Sequence, residues 1–555
     1  MDELSHLPAG YSYLTQKDMR INPEHPPLIK ELAGLPLLFI KGINFPSRID
    51  AWQKDVNGQW NYGFYFLYRN GNPADQMIFW GRLPMLLVLL LGGIYVFKWA
   101  KELFGNKAGL VALFLYSFSP TLIAHGRLVT TDVGAAAGIL IATYYFVKFL
   151  KERTAKSMVI AGLALGFAEL AKFSAILLLP FFGIIVIIWA IVKTPSPRSF
   201  LKTFVPLAAS FIAIIAIAYI LLFPFYQYLV INYPPEKQVS DSAYLLSSFK
   251  YRLPADIVVW MADKPVLRAY AQYALGLLMV SQRATGGNTT YFMGEVSASG
   301  WKTYFPLVYL AKEPLAFHLL TLTALVFCLW SIIKKRLAVL KTGLNQIADH
   351  PAEFAMLLFI ALYWLTSISS PLNIGVRHLM PIFPLTIILV AGCIAKILNP
   401  PFVKAKYAIL AALLLWQAAA IAAIYPHFLA YFNEIAGGPD NGYIYTVDSN
   451  LDWGQDLKRL VTWTEENNVN TIYVDYFGGS DAAYYLKDKF QPWWGTRNPH
   501  ELPKGSYLAV SGTFLQGGRG TPVPGFTQNW GHYLWLNKYQ PVAKIGYSIF
   551  VYKID

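Results

Sequence analysis

Residues 157–193 read SMVIAGLALGFAELAKFSAILLLPFFGIIVIIWAIVK. A helix that crosses a membrane needs about 20 mostly apolar residues. This stretch supplies two, 157–172 and 173–193, with almost no polar turn between them. The same pattern recurs at 79–98, 107–126, 131–150, 203–226, 304–333, 353–369, 377–398 and 406–425. The composition agrees. The 555 residues are 55% hydrophobic and 14% charged, whereas soluble domains carry about 25% charge. The sequence predicts a membrane α-helical protein, a polytopic bundle of about ten spans.

Lysine and arginine orient the bundle, because they accumulate in cytoplasmic loops. Lys98, Lys101 and Lys107 fall between the first two spans. Lys148, Lys151, Arg153 and Lys156 follow the third, and Lys193, Arg198 and Lys202 follow the fifth. Lys334, Lys335, Arg336 and Lys341 come next, then Lys396, Lys404 and Lys406. All five loops fall on one side. Segments 1–78, 126–131, 227–303, 370–376 and 426–555 then lie outside. Such a start on the outer face leads us to expect a further span upstream of Met1. The net charge of +14 belongs to these loops and to anionic lipid. No nucleic-acid-binding fold accompanies it.

The chain divides into a first outer loop (1–78), transmembrane helices (79–226), an outer loop (227–303), further transmembrane helices (304–425) and an outer-face domain (426–555). The 26–40 stretch is apolar but short, with Lys30 and Glu31 inside it, and reads as a re-entrant or surface-lying helix. In the last segment DLKRLVTWTEEN reads as an amphipathic helix. TIYVDYF, SYLAVSGTF and AKIGYSIFVYKI read as strands, so this is a small C-terminal α/β domain. Cys328 and Cys393 lie in separate apolar runs, as packing residues. Asn288-Thr289-Thr290 fits a glycosylation acceptor. Trp260 and Trp301 place parts of 227–303 at the membrane interface.

The chemistry gathers at the outer ends of the spans. Asp2 and Glu3 offer a base. Asn22-Pro23-Glu24-His25-Pro26-Pro27 is a turn stiffened by proline, and it delivers Glu24 and His25 to the membrane boundary. HGRLVTTDVGAAAG (125–138) places Arg127 and Asp132 at a helix end, where Asp132 is either a functional acid or a helix cap. Arg82, Lys172, Arg377 and His378 sit in the same leaflet. Arginine suits phosphate through its bidentate fork, although a single cation there also fits a snorkelling side chain. Asp448, Asp452 and Asp456 recur every four residues. That spacing reads as caps and a domain interface, a recognition element or a cation site.

These residues carry a resemblance. DELSHLPAGYSYL with NPEHPPLIKELAGLPL resembles the first-loop signature of the superfamily of protein O-mannosyltransferases and aminoarabinose transferases. HGRLVTTDVGAAAG resembles its second acidic motif. YFMGEVSASGWKTYFPLVYLAKEPL, NIGVRHLMPIFPL and YFNEIAGGPDNGYIYTVDSNLDWGQDLKRL resemble further blocks of family 39-like members. The resemblance implies a C-type membrane glycosyltransferase fold and a polyprenyl-phosphate-sugar donor. It implies Asp2 as the general base, Glu3 as its support and Asp132 as a catalytic acid that shapes the site or holds a divalent cation. Glu24, His25, Arg82, Arg127, Lys172, Arg377 and His378 are the candidate donor and phosphate contacts. His25 stands where aminoarabinose transferases carry lysine.

The expected reaction moves a hexose such as mannose to an acceptor hydroxyl on a protein or glycolipid, with inversion. The lipid phosphate is already a good leaving group, so the protein positions the acceptor, takes its proton and stabilises the departing charge. Burial against lipid is expected to raise the carboxyl of the base. A retaining route needs a second carboxylate, which the sequence alone does not place. A flippase of lipid-linked sugar would carry charge near mid-helix, where only Glu169, Lys312 and Glu313 qualify. A silent glycan-binding relative would keep the outer domain without the chemistry.

Overall fold

The computed structural model describes residues 1–194, 199–334 and 347–555. Arg198, Lys335, Arg336 and Lys341 of the basic loops lie outside the described residues. Seven described helices are long and apolar enough to cross a membrane: Ala74–Phe104, Thr131–Glu152, Phe173–Val192, Phe200–Leu229, Pro351–Ser369, Val376–Ile397 and Val403–Ala423. Two bent pairs bring the number to nine. The expected 157–172 span is the 17-residue helix Ala155–Ala171, at the short end of the range of about 17–25 residues that crosses the hydrocarbon core.

Two expected straight spans are broken. The 107–126 segment forms Asn106–Ser117 and Pro120–Gly126, bent by 60°, with Ser119 capping the second piece through Leu122 N. The 304–333 segment turns by 115° between Tyr304–Lys312 and Leu315–Ser331. Pro314 has no N–H for the helical ladder and disfavours a helical residue before it, so the break falls at Glu313. Leu87, Leu90, Ile94, Ile212, Ile220 and Leu415 point outward, each more than half exposed, as lipid contacts require. Small residues let the inner helices approach closely: a Cβ on Gly138 would stand 3.0 Å from Ala168 Cα. Cys328 and Cys393 come from different helices, yet their sulfurs meet at 3.2 Å.

The first segment is more helical than a loop. Asp2 opens the helix Glu3–Gln16, and Pro27–Gly34 packs against it. At their crossing a Cβ on Gly10 would overlap the Lys30 carbonyl oxygen, so only glycine permits this approach. The stretch continues as a short 3-10 turn, Leu35–Phe39. It buries Ile29, Ala33 and Leu37 and leaves Phe39 exposed, as a surface-lying element should.

The C-terminal domain is built on a five-stranded mixed sheet. Its strands are β3 (Ile472–Asp475), β4 (Phe490–Pro492), β5 (Tyr507–Ser511), β7 (Ala543–Ile545) and β8 (Ile549–Lys553), in the order β4-β3-β5-β8-β7. Alternation sends successive side chains to opposite faces. Leu508, Val510, Phe550 and Tyr552 enter one core and Ala509, Ile549 and Val551 the other. The amphipathic helix Leu457–Glu466 covers the second face. SYLAVSGTF is strand only to Ser511 and then turns into the helix Gly512–Arg519. A smaller sheet joins β1 (Thr290–Phe292) and β2 (Glu295–Ser297) of the 227–303 segment to β6 (Thr521–Pro522). That pairing fastens the domain to the bundle. The rest of the segment is helical, with Pro235–Leu245, Arg252–Met261 and Leu267–Gly286.

Candidate active site

The helix starts that carry the acids converge under the C-terminal domain. Arg377 lies in the first turn of Val376–Ile397 and is the hub. Its Nη1 donates to Asp2 Oδ2 at 3.0 Å and to Asp132 Oδ2 at 3.1 Å. Its Nε donates to Ser449 Oγ at 3.1 Å, and its guanidinium stacks 4.4 Å from the Trp453 ring centroid. Asp132, in the first turn of Thr131–Glu152, is also paired with Lys172. Lys172 sits at the junction between Ala155–Ala171 and the next helical segment. The loose polar boundary at 172 is thus where a cation meets Asp132. Residues 375, 245 and 40 apart along the chain meet here.

Asp2 keeps about a fifth of its side chain exposed. Burial pushes its carboxyl up, but the Arg377 guanidinium leads the charges that outweigh that, and it lies below the ordinary carboxylate range. The expectation of a raised carboxyl fails, because burial here comes together with a guanidinium. Glu3 behaves likewise. Burial raises it, but Arg82 holds it with a two-bond fork at 2.7 and 2.5 Å and Val129 N donates at 3.1 Å, so it too lies low. A hydrogen-bonded, ion-paired carboxylate at a helix start is well held in place.

The Asn22–Pro27 turn is fixed from beneath. Buried Lys30 donates to Asn22 O, Asn22 Oδ1, His25 O and Tyr13 Oη at 2.7–2.9 Å. Glu24 accepts from Asn57 Nδ2 at 3.1 Å and from Gln59 Nε2. His25 packs edge-on against His6, with centroids 4.8 Å apart. Burial pushes both imidazoles below their usual range, so both are neutral near pH 7. The ring of His6 is anchored by Nδ1 on the Val129 carbonyl at 3.0 Å.

One cavity of ≈ 690 Å³ collects these groups. Asp2, Glu24, His25, Lys172, Arg377 and His378 all line it. Two further residues line it that the sequence reading had not assigned to the site. Arg283, near the end of Leu267–Gly286, is exposed in this cavity and has no ion pair among the described residues. Asp448 holds a left-handed backbone (φ 56°), and burial pushes its carboxyl up to about 6 despite Arg377 nearby. Nothing in local sequence marks Arg283. Asp448 was visible only as part of the repeated acids, which do not share one face. Asp452 instead accepts from Thr513 N at 3.1 Å. Asp456 accepts from Arg459 at 2.5 Å and Ser548 at 2.7 Å. These two bind the domain together. Arg82 and Arg127 are not in the large cavity; they line a smaller pocket across Asp2.

Among the described residues no group of three or more His, Cys, Asp or Glu is placed to hold a metal ion. The mid-helix charges are held locally. Lys312 donates to the Leu429 and Asn450 carbonyls at 2.8 and 2.6 Å. Glu313 accepts from Thr121 and Ser119, and Glu169 from Tyr273.

Residues 74–223 match the family model described as dolichyl-phosphate-mannose-protein mannosyltransferase. That match covers 150 of the 555 residues and falls within the polytopic helical bundle. The match spans Asp132 and Lys172. Among solved structures the chain is similar to ArnT from Cupriavidus metallidurans bound to undecaprenyl phosphate. There the identity is 13% over 100% of this chain and 93% of that one, with a TM-score of 0.45. It is also similar to the apo oligosaccharyltransferase of Archaeoglobus fulgidus, at 14% identity over 90% of this chain and 61% of that one, with a TM-score of 0.46. No curated protein matches by sequence.

Proposed function

We propose that this chain transfers a hexose, mannose or a close relative, from a polyprenyl-phosphate carrier to an acceptor hydroxyl at the extracytoplasmic face, with Asp2 as general base. The observation that carries this reading is one cavity of ≈ 690 Å³ lined by both the Asp2 carboxylate and the cations Lys172, Arg283 and Arg377. A lipid phosphate needs the cations and an acceptor hydroxyl needs the base. Asp2 takes the acceptor proton as the acceptor oxygen bonds to the anomeric carbon. The bond from that carbon to the phosphate oxygen breaks, and the phosphate leaves with the electron pair. Arg283 and Lys172 meet its charge. Attack by the acceptor itself inverts the anomeric centre. Asp448, raised towards neutrality, is placed to share a hydrogen bond with a sugar hydroxyl. The acceptor is a protein or a glycolipid.

Sidedness follows from the same helices. Asp132 begins Thr131–Glu152, which ends near Lys148 and Lys151; Arg377 begins Val376–Ile397, which ends near Lys396. The site is thus at the ends opposite the basic loops, and the positive-inside tendency supports an outer location.

The test is transfer from polyprenyl-phosphate-mannose and related donors by membranes containing the protein. Asp2→Ala should lower transfer about 10²- to 10⁴-fold, the usual worth of a general base. Unchanged transfer in that variant at equal expression refutes the mechanism. A chelator arm tests the divalent-cation expectation, since loss of transfer restored by added Mg²⁺ or Mn²⁺ would add a metal to the donor site.

A further inference from the structure

Asp2 lies in the wall between two cavities. Beyond it, on the side away from Lys172, is a pocket of ≈ 70 Å³, about a tenth of the donor cavity. Glu3, Arg82 and Arg127 line it, together with Gly454, Gln455 and Ser480 of the C-terminal domain. The charges in this pocket are unequally matched. Asp2 is taken by Arg377, and Glu3 takes the whole fork of Arg82. Nearby Arg459 is paired with Asp456. Arg127 has no ion pair among the described residues, and its Nε is buried without a hydrogen-bond partner. Withdrawing a guanidinium nitrogen from water without a partner is costly. The guanidinium lines the pocket without an ion pair, so an anion bound there would pair with the part that faces the pocket.

We propose that this pocket binds a carboxylate of an acidic peptide acceptor, set beside the hydroxyl that Asp2 deprotonates, with Arg127 as the recognising cation. The proposal rests on the transferase reading and adds the acceptor's chemistry to it. The pocket is small beside the large cavity and suits a compact anionic group. The outer domain supplies part of the wall, with Gln455 and Ser480 beside the charged groups of the span ends. Gly454 and Gly479 also line the pocket, so a group bound there lies between the span ends and the outer domain, as a polypeptide acceptor presented from the outer side would.

The experiment uses the full chain in nanodiscs with paired synthetic peptides. Each carries one serine or threonine flanked by Glu, or by Gln in the control. Binding is measured without donor, and acceptor KM and kcat are measured with it. The wild type should favour the Glu peptide about tenfold to a hundredfold, the worth of a charged hydrogen bond, with the difference in KM. Arg127→Gln should abolish that ratio and Arg127→Lys should keep part of it. Equal binding of both peptides by the wild type overturns the proposal, as does a ratio that survives Arg127→Gln. Stronger competition by an anionic phospholipid than by the Glu peptide overturns the peptide source. Selective Arg127-dependent binding with no transfer would sink the transferase reading and leave the pocket standing. Where Arg127→Gln does not accumulate, the wild-type ratio and the Arg127→Lys ratio decide.

Discussion

Replacing Arg377 by glutamine should move the acid limb of the transfer reaction. In the wild type the guanidinium lies 3.0 Å from Asp2 and 3.1 Å from Asp132, and Asp2 is held below the ordinary carboxylate range against the effect of its own burial. Asp2 is therefore ionised, and available as a base, throughout the neutral range. An opposite charge at this distance lowers an acid by about 1–3 units. Its removal leaves burial unopposed by Arg377, so the acid limb of kcat/KM should rise by about 1–3 pH units. Each unit corresponds to about 1.36 kcal/mol. The sign for stability agrees. A depressed carboxyl stabilises the fold at pH above its unfolded value near 3.9 and loses that contribution as pH falls through the folded value. The variant should therefore melt lower than wild type at pH 7, with a difference that shrinks towards pH 4. Asp132 keeps Lys172, which limits the damage from the lost hub. Arg377→Lys, which retains the charge but not the fork, should shift the limb less. The assay is transfer across about pH 4–8, with a melting curve at each pH. A uniform fall in rate with an unmoved acid limb would refute the argument, because the titrating base would then not be the carboxylate that Arg377 holds.

Two predictions concern the scaffold. Burial pushes the Asp452 carboxyl up to about 7, so the folded state binds its proton more tightly than the unfolded state. Stability is lost as pH rises from about 4 to about 7, and Asp452→Asn should raise the melting temperature at pH 8 and lose that advantage by pH 5. A variant that is less stable at pH 8 would show that the charged form is the one the fold needs. Gly10→Ala should destabilise the protein by about 1–3 kcal/mol or prevent its accumulation, since the added Cβ meets the backbone of Lys30. Gly517→Ala, with nothing within 4 Å, is the control and should be neutral or slightly stabilising in detergent melts.

The sequence by itself determined the class of molecule. Long apolar runs have no alternative in water, and loop lysines set a common side, so the bundle and its polar tail were legible from composition and period. Asp2, Asp132, Lys172 and Arg377 were legible as candidates because charge at a span's end is costly enough to need a reason. Which charge meets which was not. The bends at 118–119 and 313–314 are tertiary choices that a hydropathy average does not register. The pairing of Arg377 with two acids 375 and 245 residues away exists only because three helix starts converge beneath one domain. The same convergence reversed the expected direction for Asp2, since burial without a partner raises a carboxyl and burial beside a guanidinium lowers it. It also separated Arg82 and Arg127 from the large cavity and brought Arg283 and Asp448 into it. Sequence supplies the groups and their helices. The electrostatic environment that gives each group its role is a property of neighbours distant in the chain, and only the packed structure determines it.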